Sequence, residues 1–206
     1  MSGGALALPE PPEGLVIPEA LVRELADAYA RPQRAYHVLG HAFDVARRVL
    51  EAHAAIGLRH PREAYVAALF HDAVYDASRK DNEAKSAELA CEAILRHGLA
   101  VDAEVVRRLV LRTAEHGSAK DLEPDEALFL DCDTAVLGGS DEDYDRYERG
   151  VAEEYRAVVP SLVYRFGRRR FLERMLASER IFHSDFFRER LEARARANLR
   201  RTLGKG

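Results

Sequence analysis

Two cysteines in a chain of 206 residues exclude a disulfide framework. Cys91 and Cys132 fall in separate apolar segments, and no Cys-x-x-Cys pair occurs. Both read as small buried residues in a reducing compartment. Long hydrophobic runs are also missing: no apolar stretch approaches the ~20 residues that a membrane-spanning helix needs. The opening "MSGGALALPEPPEG" lacks the basic flank of a signal peptide. Rich in proline and glycine, it reads as a disordered lead-in over residues 1–14, ahead of one domain over 15–206. These absences point to a cytoplasmic protein. Positive charge is not in excess either. A formal net charge of −4 gives no general attraction to nucleic acid or to an anionic membrane. The basic residues gather late, at "GRRRF" and "RARANLRRTLGKG", and read as solvated helix faces and a tail. Alternating strand patterns with hairpin turns are absent, as is any repeat of fixed period.

What is present is helical periodicity with start and stop signals. "IPEALVRELADAYA" opens on a proline and repeats apolar residues at three- and four-residue spacing. "AYHVLGHAFDVARRVLEAHAAIG" follows and stops at Gly57; Pro61 opens a third helix. Asp81 is placed to cap a fourth that stops at Gly98. Further segments begin at Asp102, Pro124, Ser140, Ser161 and Asp185. With short links between them, the expectation is a single all-α bundle of ~10 helices.

The chemistry gathers where polar residues interrupt apolar faces. "YVAALFHDAVYD" places His71 and Asp72 at the end of the most apolar run, where an ionised carboxylate needs a partner. Asp76 follows Asp72 by four residues and would share its helix face. His37 and His41 are likewise four apart and would share a face. The zinc-peptidase pattern needs a glutamate directly after the first histidine, and Val38 stands there instead. In "LFLDCDTAVLG", Asp131 and Asp133 point roughly 200° apart on a helix. Phe129, Cys132, Val136 and Leu137 share the side of Asp133, which implies that Asp133 points inward and Asp131 towards the rim. A metal held by His41, His71 and Asp72 would supply the partner a buried Asp133 requires. Of the other histidines, His53, His60, His97 and His183 read as boundary residues. "DEDYDRYERG" lacks the glycine and closing glutamate of a calcium loop.

The order His41, His71-Asp72, Asp133 resembles the H…HD…D signature of the HD-domain metal-dependent phosphohydrolases. "YHVLGH", "LFHDAVYD", "DNEAKSAELA", "RTAEH" and "FLDCDTAVLG" together resemble a bacterial subfamily of predicted HD phosphohydrolases. The resemblance runs from about Arg34 to "YRFGRRRFLERML". It implies an all-α fold of the HD type and His41, His71, Asp72 and Asp133 as metal ligands. In related guanosine-tetraphosphate hydrolases an acidic pair after the doublet activates water; here Tyr75 stands at the first position and Asp76 at the second. His116 is placed either to bind a second ion or a phosphate oxygen, or to cap a helix before Gly117.

Two imidazoles and two carboxylates suit Mn²⁺, Mg²⁺, Fe²⁺, Zn²⁺, Co²⁺ or Ni²⁺ rather than Cu⁺, which prefers sulfur. A metal-activated water would attack phosphorus, with Asp72 and Asp76 in catalysis. Arg34, His37 and His116 would hold the phosphate of a small substrate, a nucleotide among the candidates. Glu83 could bond a ligand histidine or serve the dipole of its own helix, and Arg168 could close over the substrate or belong to a surface basic cluster. A homodimer is left open. Two other readings survive: a di-iron oxygenase on the same fold, and a non-catalytic domain that the metal merely staples.

Overall fold

The computed structural model describes residues 7–30, 34–116, 119–156 and 158–204. Among these residues it is all-α. Helix α1 spans Glu19–Tyr29, α2 Leu39–Ile56, α3 Pro61–Phe70, α4 Asn82–His97 and α5 Ala103–Arg112. A 3-10 turn at Thr113–Glu115 follows, then α6 (Pro124–Thr134) and a second 3-10 turn at Ala135–Gly138. Helices α7 (Asp141–Arg156), α8 (Ser161–Ala177) and α9 (Asp185–Gly204) close the chain. No helix among the described residues is long and apolar enough to cross a membrane.

The centre of the bundle is α3. Pro61 supplies a helical φ where no amide partner is needed, and every residue from Ala64 to Phe70 is buried. Helices α2, α4, α5 and α6 surround it. Each of its large apolar side chains contributes about 1.5–3 kcal/mol by leaving water, and this buried element ends in His71-Asp72. Gly57 and Gly98 stop α2 and α4 with positive φ of 73° and 61°, a conformation that costs a residue with Cβ more. Gly98 donates its amide back to Ile94 and Leu95. Glu123 and Glu126 form a capping box at the start of α6.

Two expectations about local structure need correction. Residues 35–38 do not belong to α2, which begins at Leu39. Asp81 stands before α4 but pairs with Arg79 instead of capping. Of the lead-in, residues 1–6 lie outside the described residues. Residues 7–14 are not free: Leu8 packs on the core, Pro12 is buried, and the Tyr65 hydroxyl donates to the Pro9 carbonyl.

Helix α9 crosses the second 3-10 turn at its closest approach, at Gly138. A Cβ there would lie 2.6 Å from Leu191 Cβ and 2.9 Å from its carbonyl oxygen. Gly138→Ala is therefore expected to lower the urea midpoint by an amount equivalent to about 1–3 kcal/mol, the usual cost of overpacking. An unchanged midpoint would show that the two elements can slide apart freely.

Candidate metal centre

Side chains from three separate segments meet beneath the surface. His41 projects from the first turn of α2, His71 and Asp72 follow the last residue of α3, and Asp133 sits near the end of α6. His41 Nε2 lies 3.1 Å from His71 Nε2 and 3.1 Å from Asp133 Oδ1. His71 Nε2 is 3.0 Å from Asp72 Oδ2 and 3.4 Å from Asp133 Oδ1. Asp72 Oδ2 is 3.5 Å from His41 Nε2. An octahedral ion with ligand bonds of about 2.1 Å puts neighbouring donors about 3.0 Å apart. Among the described residues, His41, His71 and Asp133 offer donor atoms that all lie within 4.8 Å of one another and could hold a metal ion. Asp72 borders this trio.

The orientation of the donors fits a cation. The His71 Nδ1 position is taken by the Ala68 carbonyl at 2.9 Å. A carbonyl only accepts, so Nδ1 carries the proton and the neutral ring turns an Nε2 lone pair towards the other donors. Such a bond to backbone is what metal-ligating histidines require of their surroundings. Asp133 turns its second oxygen to His116, which donates from Nε2 at 2.7 Å. The Tyr36 ring covers His41 at 4.6 Å, and the Phe129 edge meets His71 at 6.4 Å. The histidines form a closed floor with side chains 4% and 1% exposed; Asp72 and Asp133 form an open side at 17% and 14%.

Electrostatics carry the same message. Burial pulls the pKa of His71 down, but Asp72 and Asp133 more than offset it and raise it well above the ordinary value. Burial lowers that of His41, which the Asp133 bond offsets only in part. Burial pushes both carboxyls up, but the charge on His71, joined by His37 at Asp72 and by the bonds from His116, His41 and His71 at Asp133, outweighs it and holds both below the usual carboxylate range. Two half-buried carboxylates drawing a proton onto their neighbour are short of positive charge, and a divalent cation supplies that more fully than a proton.

No family model, curated protein or solved structure matches this chain. Its chemistry has to be read from its own atoms.

Beside the centre lies a dyad that sequence reasoning missed. His37 Nδ1 is 2.6 Å from Glu154 Oε2. Glu154 Oε1 accepts the amides of Ala35, Tyr36 and His37, each at 2.9 Å. These bonds hold residues 35–37 off the helix, so His37 and His41 do not share a helix face. Gly150, one turn before Glu154, lets the loop press on α7: a Cβ there would come within 2.9 Å of Tyr36 Cβ. The signal was readable, because Tyr144, Tyr147, Val151 and Glu154 fall on one buried stripe of α7. His37 stacks on Tyr75 with ring centroids 4.1 Å apart. His183, read as a boundary residue, lies close enough to His116 for its pKa to be lowered by burial and then by that neighbour.

Four expected site roles change. Arg34 donates to the carbonyls of His37, Asp72 and Ala73 at 3.0, 2.7 and 2.9 Å; it clamps the loop to the end of α3 instead of waiting for phosphate. Asp76 is exposed and bonds Ser78 through its amide and hydroxyl at 2.8 and 2.6 Å. Helix α3 ends at Phe70, so Asp76 does not stack over Asp72, and it is a turn residue instead of a base. Asp131 is not at the rim: it is fully buried and accepts the amides of His183 and Ser184 at 2.8 and 2.7 Å and the Ser184 hydroxyl at 2.6 Å. Arg168 is not part of a surface cluster; it is committed to Glu148 and packed over Tyr147 and Phe171. Glu83 stands in the wall of the cleft beside His37 and His116.

Proposed function

We propose that the chain is a metal-dependent phosphohydrolase of the HD type acting on a small phosphorylated molecule. One observation carries this: His41, His71, Asp72 and Asp133 converge at 3.0–3.5 Å with their carboxylates on the open side. A divalent ion held there supplies Lewis acidity to a phosphoryl oxygen and, near neutral pH, hydroxide from water. The chain supplies the rest. The Ala68 carbonyl and His116 hold two of the donors in place. Glu154 keeps the Nδ1 proton of His37 and leaves Nε2 to exchange a proton with the cleft. Burial lowers the pKa of His37, but Asp72 and Glu154 raise it beyond that, which favours its imidazolium. That proton can pass from Nε2 to the oxygen that leaves phosphorus. A purely structural staple has no use for an open carboxylate side or for a fixed histidine beside it.

The test is phosphate release. Purified protein is assayed with phosphomonoesters and nucleotides across Mn²⁺, Mg²⁺, Fe²⁺, Zn²⁺, Co²⁺ and Ni²⁺. Turnover should require an ion and fall to background in His71→Ala and Asp72→Ala, with their chelated melts close to wild type. Ion-independent turnover, or oxygen uptake with iron and no phosphate release, would sink the assignment.

A further inference from the structure

A cleft lined by His37 and His116, the neighbours of His41 and Asp133, is sharply divided in character. It has a volume of about 550 Å³. His37 and His116 stand at the end near the centre, and Glu83 also lines the cleft. The remainder is built from ring faces and aliphatic side chains of α7 and α8: Tyr147, Val151, Tyr155, Val163 and Phe171, with Val159 between the helices. Among the described residues lining it, Arg168 is the one lysine or arginine. Its guanidinium is already matched by Glu148 and lies 4.9 Å from the centroids of both Tyr147 and Phe171. Such a cation stiffens the wall and has little charge left for a ligand.

We propose that this cleft selects phosphomonoesters whose alcohol side is flat and uncharged, and rejects di- and triphosphates. The inference rests on the phosphohydrolase reading. One phosphoryl group would be neutralised at the centre, with His37 and His116 beside it. A second or third phosphate would have to lie along Glu83 and the aromatic wall, where burying unpaired negative charge is costly. A flat body would stack between the tyrosine faces and leave water as it did so. In the reaction, the oxygen of water bonds to phosphorus and the phosphorus–oxygen ester bond breaks. The departing alcohol takes a proton from His37 Nε2, one water proton restores His37, and inorganic phosphate remains.

The experiment compares 1-naphthyl phosphate, a nucleoside 5′-monophosphate, glycerol phosphate and a nucleoside triphosphate with one divalent ion. The two flat monoesters should exceed glycerol phosphate and the triphosphate by about tenfold or more in kcat/KM, the scale set by burying a ring or aliphatic group. Equal or better turnover of the triphosphate or glycerol phosphate overturns the selectivity while leaving the phosphohydrolase reading intact. Val163 is 57% exposed, so Val163→Asp should fold; it should shrink the naphthyl-to-glycerol ratio about tenfold, and an unchanged ratio counts against the cleft. If nothing is hydrolysed, the reaction assignment falls. Naphthyl fluorescence then still decides selectivity: binding displaced by the nucleoside monophosphate supports it, and equal displacement by the triphosphate overturns it.

Discussion

Asp133→Asn should emerge from purification with its divalent metal lost, while its melt in chelator stays near wild type. Asp131→Asn, two residues away, should do the reverse. Asp133 presents Oδ1 to both buried histidines at 3.1 and 3.4 Å. An amide in its place loses the charge and, in one of its two orientations, turns an NH₂ towards the donors. The expected fall in affinity exceeds the roughly 10–100-fold that follows from altering an outer partner of a metal site. Asp131 contacts none of those donors. It accepts two amides and a hydroxyl where α9 begins, and burial pushes its carboxyl up to about 6 despite those bonds. An asparagine can keep only part of this set, and an unmatched buried donor costs about 1–3 kcal/mol. Metal per chain after desalting, read beside urea midpoints in chelator, separates the two variants. Metal loss from Asp131→Asn with Asp133→Asn still loaded would mean that the wrong carboxylate has been assigned.

The contrast between these two aspartates also shows what a sequence can and cannot say. Spacing placed Asp133 on the apolar side of α6, and the histidine and aspartate order put His41, His71 and Asp72 with it. The first inference needs only helix geometry; the second rested on the resemblance to the H…HD…D order. The depth of Asp131 depended on His183 and Ser184, just ahead of α9, whose amides lie 52 and 53 positions later. No local pattern reports that. Helix ends failed for the same reason. Periodicity runs without interruption from Ala35 into α2, yet Glu154, more than 100 residues away, takes the amides of residues 35–37. Arg34 takes carbonyls just past the end of α3, and with the helix over, Asp76 leaves the face of Asp72. Glycine stops were legible because Gly57 and Gly98 act through their own φ angles. The local chemistry was readable; boundaries set by a distant side chain were not.

Glu154→Gln should leave metal binding unchanged and lower kcat on the order of 100-fold, the lower end of what a positioned proton donor contributes. Glutamine can still accept the three amides through its oxygen, so the 35–37 loop has reason to stay. What it loses is the negative charge and the acceptor oxygen behind His37 Nδ1. The sign of the pH effect follows. The His37 pKa is raised by Asp72 and Glu154 against the pull of burial. Removing Glu154's charge brings it down, so the imidazolium is lost at lower pH. The alkaline limb of kcat/KM should therefore move towards acid, with KM altered less than kcat. His37→Ala should cost at least as much, and adding Glu154→Gln to it should cost little more, because the glutamate acts through the histidine. Additive losses in the double variant, or an alkaline limb that stays in place, would make Glu154 a fastener of the loop and nothing else. A structural defect lowers the amount of active protein at every pH alike; only the charge behind His37 can displace the limb.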